Sequence, residues 1–185
     1  LDKYDAAKEW LDALVADHPN DAESLALLGR IEKDTWVNAW QAPGKNSAKM
    51  LEDAAYEDGV LREAIAAYAK GFRIDPRHYY SGVNAVTLSH LLFHLTGKNG
   101  HTDERKAMEG GVRWAIHSAL AKNEKDYWAR ATLGDLEVLI GDKEAVERAY
   151  KDAVAVANKD WFALDSARRQ LTLLQALEFR PPLVE

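Results

Sequence analysis

The sequence predicts an all-α fold: helical hairpins stacked as a solenoid, with two insertions and a C-terminal capping helix. Three observations predict it. Ala, Leu, Glu and Lys dominate, while the 11 Gly and 5 Pro of the 185 residues sit at apparent helix ends. A hydrophobic content of 47% at this length is enough for one contiguous core. The third is a recurring pattern: Ala64, Tyr68, Gly71 and Pro76 have the same mutual spacing as Ala7, Leu11, Leu14 and Pro19, as expected when one hairpin unit is repeated along the chain.

In a tetratricopeptide unit of about 34 residues, these are about positions 20, 24, 27 and 32, where a small residue, a large one, a second small one and a closing proline belong. The register then orders the elements. Residues 2–17 read as the second helix of a truncated repeat. The next repeat covers 21–76, with Asn20 and Asp21 as caps and Leu25, Leu28 and Gly29 at the large, large and small packing sites. Its second helix arrives about 23 residues late, so 41–59 is an insertion. The turn cluster QAPGKNS opens it, and 47–59 either lengthens the second helix or packs over the groove. A third repeat spans 79–122, with a polar insertion at 97–106 and Val112, Ile116 and Ala119 at packing sites. The fourth, 126–158, needs no insertion. A helix over 160–179 caps the array, and Arg180, Pro181 and Pro182 end it.

Composition excludes several function classes. A net charge of −6 opposes nucleic-acid binding, which needs a clustered basic surface. The stretch 78–97 lacks Asp, Glu, Lys and Arg, but Asn84, three histidines and several hydroxyls make it a buried core helix rather than a membrane span. With no cysteine there is no disulfide or thiolate site, and the cytoplasm is the expected compartment. The N-terminus shows no signal-peptide pattern; it lacks Met and begins inside a repeat, as expected of a piece of a longer chain. No phosphate loop, nucleophile elbow or paired carboxylates are visible, so neither catalysis nor a cofactor is expected. His90 and His94 lie at i, i+4, but HLLFH lacks the metalloprotease glutamate and a third ligand, so no metal is expected. The tryptophans, among them Trp36, Trp40, Trp114, Trp128 and Trp161, read as core wedges, with Trp128 the candidate stacking surface.

First helices of such repeats line the concave side. The register places Glu23, Ala26, Arg30 and Lys33 there, then Tyr80, Val83, Thr87 and His90, then Trp128, Ala131, Asp135 and Val138, and finally Phe162, Asp165, Arg169 and Thr172. Arg30 and Lys33 could hold a phosphate or carboxylate; alternatively Arg30 pairs with Asp34 and Lys33 is solvated. Gly82 either opens a notch near a helix N-terminus or serves tight helix packing, with Ser81 as cap and Asn84 bonding locally.

The runs GRIEKDTW at 29–36, AIAAYAKGFRIDP at 64–76, YYSGVNAVTLSHLL at 79–92, DYWARATLGDLEVLIGD at 126–142 and DWFALDSARRQLTLL at 160–174 resemble a known region. It is the tetratricopeptide-type regulatory, TRAF-binding region of the apoptosis signal-regulating kinases, and bacterial sensor-like proteins carry a similar one. The resemblance implies a non-catalytic regulatory array acting on an effector or signalling protein, with a small, nucleotide-derived ligand suggested for the bacterial relatives. It marks Gly29, Arg30, Lys33 and Asp34, then Ser81, Gly82 and Asn84. With Tyr80 and Trp128 as flat faces, the expected ligand-binding set is Arg30, Lys33, Asp34, Tyr80, Ser81, Gly82, Asn84 and Trp128. Glu32 departs from the kinases, which carry an aromatic residue there.

Overall fold

Carboxylate and amide side chains start five of the ten described helices. Asp21, Asn46, Asp126, Asp142 and Asp160 each accept a hydrogen bond from a backbone N–H three residues on, at 2.9–3.1 Å, supplying a partner to a donor that the first turn leaves free. The computed structural model describes residues 3–98 and 102–184, with side chains from residue 6 onward. Its elements are α1 (Lys3–Asp17), α2 (Ala22–Trp40), α3 (Ser47–Tyr56), α4 (Asp58–Ile74), α5 (Tyr79–Thr96), α6 (Thr102–Lys122), α7 (Tyr127–Ile140), α8 (Lys143–Val156), α9 (Trp161–Ala176) and α10 (Pro181–Val184). There are no strands among the described residues.

The helices form a tetratricopeptide-like solenoid. Helix α2 packs on α4, α5 on α6 and α7 on α8, and successive hairpins stack through α4 with α5, α6 with α7 and α5 with α7. Helix α1 lies on α2, and α9 closes the other end against α7. Small residues let the paired helices approach. A Cβ on Gly29 would stand 2.8 Å from the Tyr68 ring, and one on Gly134 would stand 2.8 Å from the Tyr150 ring. The same small-against-aromatic contact thus recurs in two hairpins. Helix α5 is the axis of the core: Ser81 to Leu88 is buried without interruption, because α3, α4, α6 and α7 all pack around it. No described helix is long and apolar enough to cross a membrane.

Residues 47–56 do not lengthen the second helix, α4, which begins at Asp58 after a break. A separate helix, α3, seals one end of α2 and also touches α5. Trp36 and Trp40 are fully buried beneath it, edge to face at 5.6 Å, and Trp36 Nε1 donates to the Ala54 carbonyl at 3.1 Å. Trp114 and Trp161 are not core wedges, being 66% and 77% exposed. Val112 and Ile116 face inward on α6, and Trp114, two residues from each, lies on the opposite side at about 100° per residue. Trp161 begins the terminal helix, which packs on few neighbours.

Charges hold the two ends. Lys8 of α1 pairs with the buried Glu32 of α2 and, at 3.1 Å, with Glu63 of α4. Burial raises the Glu32 carboxyl despite the Lys8 contact, which lowers it. At the C-terminus, Arg180 donates to the Val138 and Gly141 carbonyls at 3.0 and 2.8 Å, satisfying acceptors at the end of α7.

Candidate functional site

Residues four or seven apart on a helix share a face. On α2 that relation joins Arg30 to Asp34, on α5 Tyr80 to Asn84, and on α7 Trp128 to Asp135. The point where three helices meet is the Lys33 ammonium. Its Nζ donates to Asn84 Oδ1 of α5 at 3.1 Å and to Gln170 Oε1 of α9 at 3.4 Å. Asn84 is itself oriented by donating from Nδ2 to the Tyr80 carbonyl at 2.9 Å, which turns its oxygen toward the lysine. Lys33 is half-buried between these helices, and the loss of surrounding water depresses its pKa.

Asp135 of α7 adds a carboxyl close enough for its charge to act on Lys33. Tyr150 donates its hydroxyl to Asp135 Oδ1 at 2.6 Å. Burial nevertheless pushes the carboxyl up to about 6, outweighing the Tyr150 hydrogen bond and the Lys33 charge, which both lower it. Burial also pushes the Tyr150 hydroxyl well up, with the Asp135 charge acting in the same direction. This cluster therefore holds an ammonium and a carboxyl that each resist ionisation, a consequence of removing both from water.

Arg30 and Asp34 stand at its rim. Their side chains are 63% and 38% exposed and lie 3.9 Å apart, a loose i, i+4 pair. Tyr80 is half-exposed and leans edge-on against Tyr68 at 5.9 Å, the hydroxyls 3.5 Å apart. Trp128, also half-exposed, meets the Phe162 ring at 6.4 Å and the Tyr127 ring at 5.3 Å. Tyr80, Trp128 and Phe162 lie in the first turns of α5, α7 and α9, and Asn84, Asp135 and Gln170 follow one to two turns further on.

Ser81 and Gly82 do not join this cluster. A Cβ on Gly82 would lie within van der Waals overlap of Val112 Cγ2 and 2.9 Å from the Phe72 ring, so the expected notch is filled and the glycine serves helix packing. Ser81 is fully buried, with its hydroxyl 2.7 Å from His78 Nδ1. Gly82 lies on the side of α5 opposite Tyr80 and Asn84, while the Ser81 hydroxyl is taken up by His78. His90 and His94 also separate: His90 Nε2 lies 2.8 Å from Glu109 Oε1, and His94 Nε2 donates to the Leu177 carbonyl at 2.9 Å. No group of three metal-ligating side chains occurs among the described residues.

Gln170 and Tyr150 are the participants that sequence reasoning missed. Extending the 34-residue phase into α9 points Arg169 inward instead of its neighbour Gln170, but α9 is a cap rather than a repeat helix and does not keep that phase. Tyr150 occupies an aromatic packing site, and its hydroxyl carries no separate signal in the sequence.

Residues 1–89 match the family model TPR-S, Tetratricopeptide Repeats-Sensor. The match runs from α1 into α5 and contains Arg30, Lys33, Asp34, Tyr80 and Asn84, whereas Trp128, Asp135 and Gln170 lie beyond it. It agrees with the resemblance to sensor-like tetratricopeptide proteins drawn from the sequence. No curated protein and no solved structure matches the chain.

Proposed function

We propose that this sensor-type repeat region is a non-catalytic cytoplasmic module whose concave hollow takes an anionic, nucleotide-derived ligand and transmits occupancy to a fused or partner effector. The observation that carries the reading is the Lys33 ammonium, half-buried among α2, α5 and α9 and hydrogen-bonded to two neutral amide oxygens. A cation held partly out of water gains from an anionic partner. A phosphate entering beside it supplies that charge and takes the place of the longer Gln170 contact. Arg30 offers a second, mobile cation at the rim, and Asp34 an acceptor for sugar hydroxyls. Tyr80 and Trp128 offer flat faces to a base, while Ser81 and Gly82 support α5 from behind.

Thermal unfolding with AMP, ADP, ATP, NAD and ADP-ribose tests this. A ligand at a hundredfold its Kd stabilises by about 2.7 kcal/mol, so at least one of these raises Tm by several degrees. The rise disappears in Lys33→Met and shrinks in Arg30→Ala, whose exposed side chain leaves the unliganded Tm nearly unchanged. A Lys33→Met chain that responds like wild type removes the lysine from the site. A flat response to the whole panel favours the second reading, a scaffold binding a peptide along the groove. The exposed Trp128, Trp161 and Phe162 side chains supply the observation for it.

A further inference from the structure

Away from the concave hollow, α4, α5 and α6 enclose a trough of about 300 Å³, within the size range of small-molecule sites. Its floor is apolar, built from Ile65, Ala66, Ala69, Leu92 and Met108. Its walls carry Arg62, Arg73, Lys98 and Arg105 with Glu104, and Arg62 pairs with Asp58 at 3.1 Å on its own helix, in a chain whose net charge is −6. Arg62 and Arg73 lie on one helix about 16 Å apart along its axis, so cations flank the floor at both ends.

Two contacts indicate what the walls accept. Arg73 Nη1 already holds a carboxylate, that of Glu104, at 3.1 Å, linking α4 to α6. Arg105 is more deeply placed, with its side chain 13% exposed and its guanidinium over the Phe93 ring at 5.5 Å. The Glu109 carboxylate is 3.7 Å from Nε, beyond hydrogen-bond reach, and this enclosed Nε makes no hydrogen bond to the described residues. Arginines beside an apolar floor suit a ligand that brings both an anionic head and an apolar body.

We propose that the trough is a second binding site, separate from the Lys33 hollow, for a small anionic amphiphile with one carboxylate on an unbranched apolar chain. The carboxylate binds the arginines of the wall, and the chain lies along Ile65, Leu92 and Met108. Neither site depends on the other being occupied.

Decanoate, kept well below its micelle-forming concentration, is the probe, with decanol and acetate supplying each half of the ligand alone. In calorimetric titration, decanoate binds one to one and the two controls do not. The Arg62→Gln/Arg73→Gln double variant, whose side chains are both about half exposed, weakens decanoate binding at least tenfold. Ala66→Phe, which fills the trough from a position on its floor, abolishes it. Lys33→Met leaves it unchanged, and circular dichroism confirms that each variant retains its helices. The proposal is overturned by absent decanoate binding, by equal binding of decanol, or by wild-type affinity in the trough variants. Loss of decanoate binding in Lys33→Met alone also overturns it, by assigning the ligand to the concave hollow.

Discussion

Asp135 keeps its proton to a higher pH in the folded chain than in the unfolded one, because burial raises it from 3.8 to about 6. The folded state therefore binds more protons between those values, and stability falls as pH rises through that window. The stability due to Asp135 is full below about pH 4 and lost above about pH 6. Asp135→Asn keeps an acceptor for the Tyr150 hydroxyl and removes the titration. Relative to wild type, the variant should gain about 1–3 kcal/mol between pH 4 and pH 7, since one pKa unit corresponds to about 1.4 kcal/mol. Urea unfolding at a series of pH values measures this. A stability difference that does not change with pH means Asp135 is not the perturbed acid of the hollow. At this scale the register points Lys33 inward, while Asn84, marked by the resemblance and not by the register, meets it from α5. It is silent on Gln170, because α9 follows no repeat phase. It misleads at Gly82, where two residues along the helix separate a packing position from the groove face.

Helices pair in this array by fitting a glycine of one against an aromatic ring of the other. Gly29→Ala puts a methyl 2.8 Å from Tyr68, a ring with no exposed surface to move into. Overpacking of that kind lowers stability by about 1–3 kcal/mol. Gly110, on α6, provides the contrast, since a Cβ there would meet nothing within 4 Å. An alanine at that position raises stability by about 0.5–1 kcal/mol, through reduced backbone freedom in the unfolded chain. Denaturant midpoints of the two variants should move in opposite directions, and a common direction would contradict the packing assigned to Gly29. These contacts are legible because a period repeated along the chain exposes its small and large positions, as at Gly29 with Tyr68 and at Gly134 with Tyr150. Helix α3 is not legible as a separate element. An insertion carries no repeat phase, and its place depends on a tertiary contact, Trp36 Nε1 with the Ala54 carbonyl.

Across the whole molecule, the ends of the array are tied by polar contacts and the middle by α5. Lys8 joins α1 to α2 and α4, while Arg180 and His94 fasten the segment after α9 to α7 and α5. Gln170 places α9 in direct contact with Lys33, so on the proposed function a ligand there would also reach α9. On the proposed function, an anion binds where these inner helices converge. Backbone amide NMR shifts, recorded on titrating the stabilising nucleotide into the protein, test this most directly. The predicted changes cluster around Lys33, Asn84, Asp135 and Gln170 and vanish in Lys33→Met; changes confined to the trough around Arg62 and Arg105, or undiminished in that variant, would contradict it.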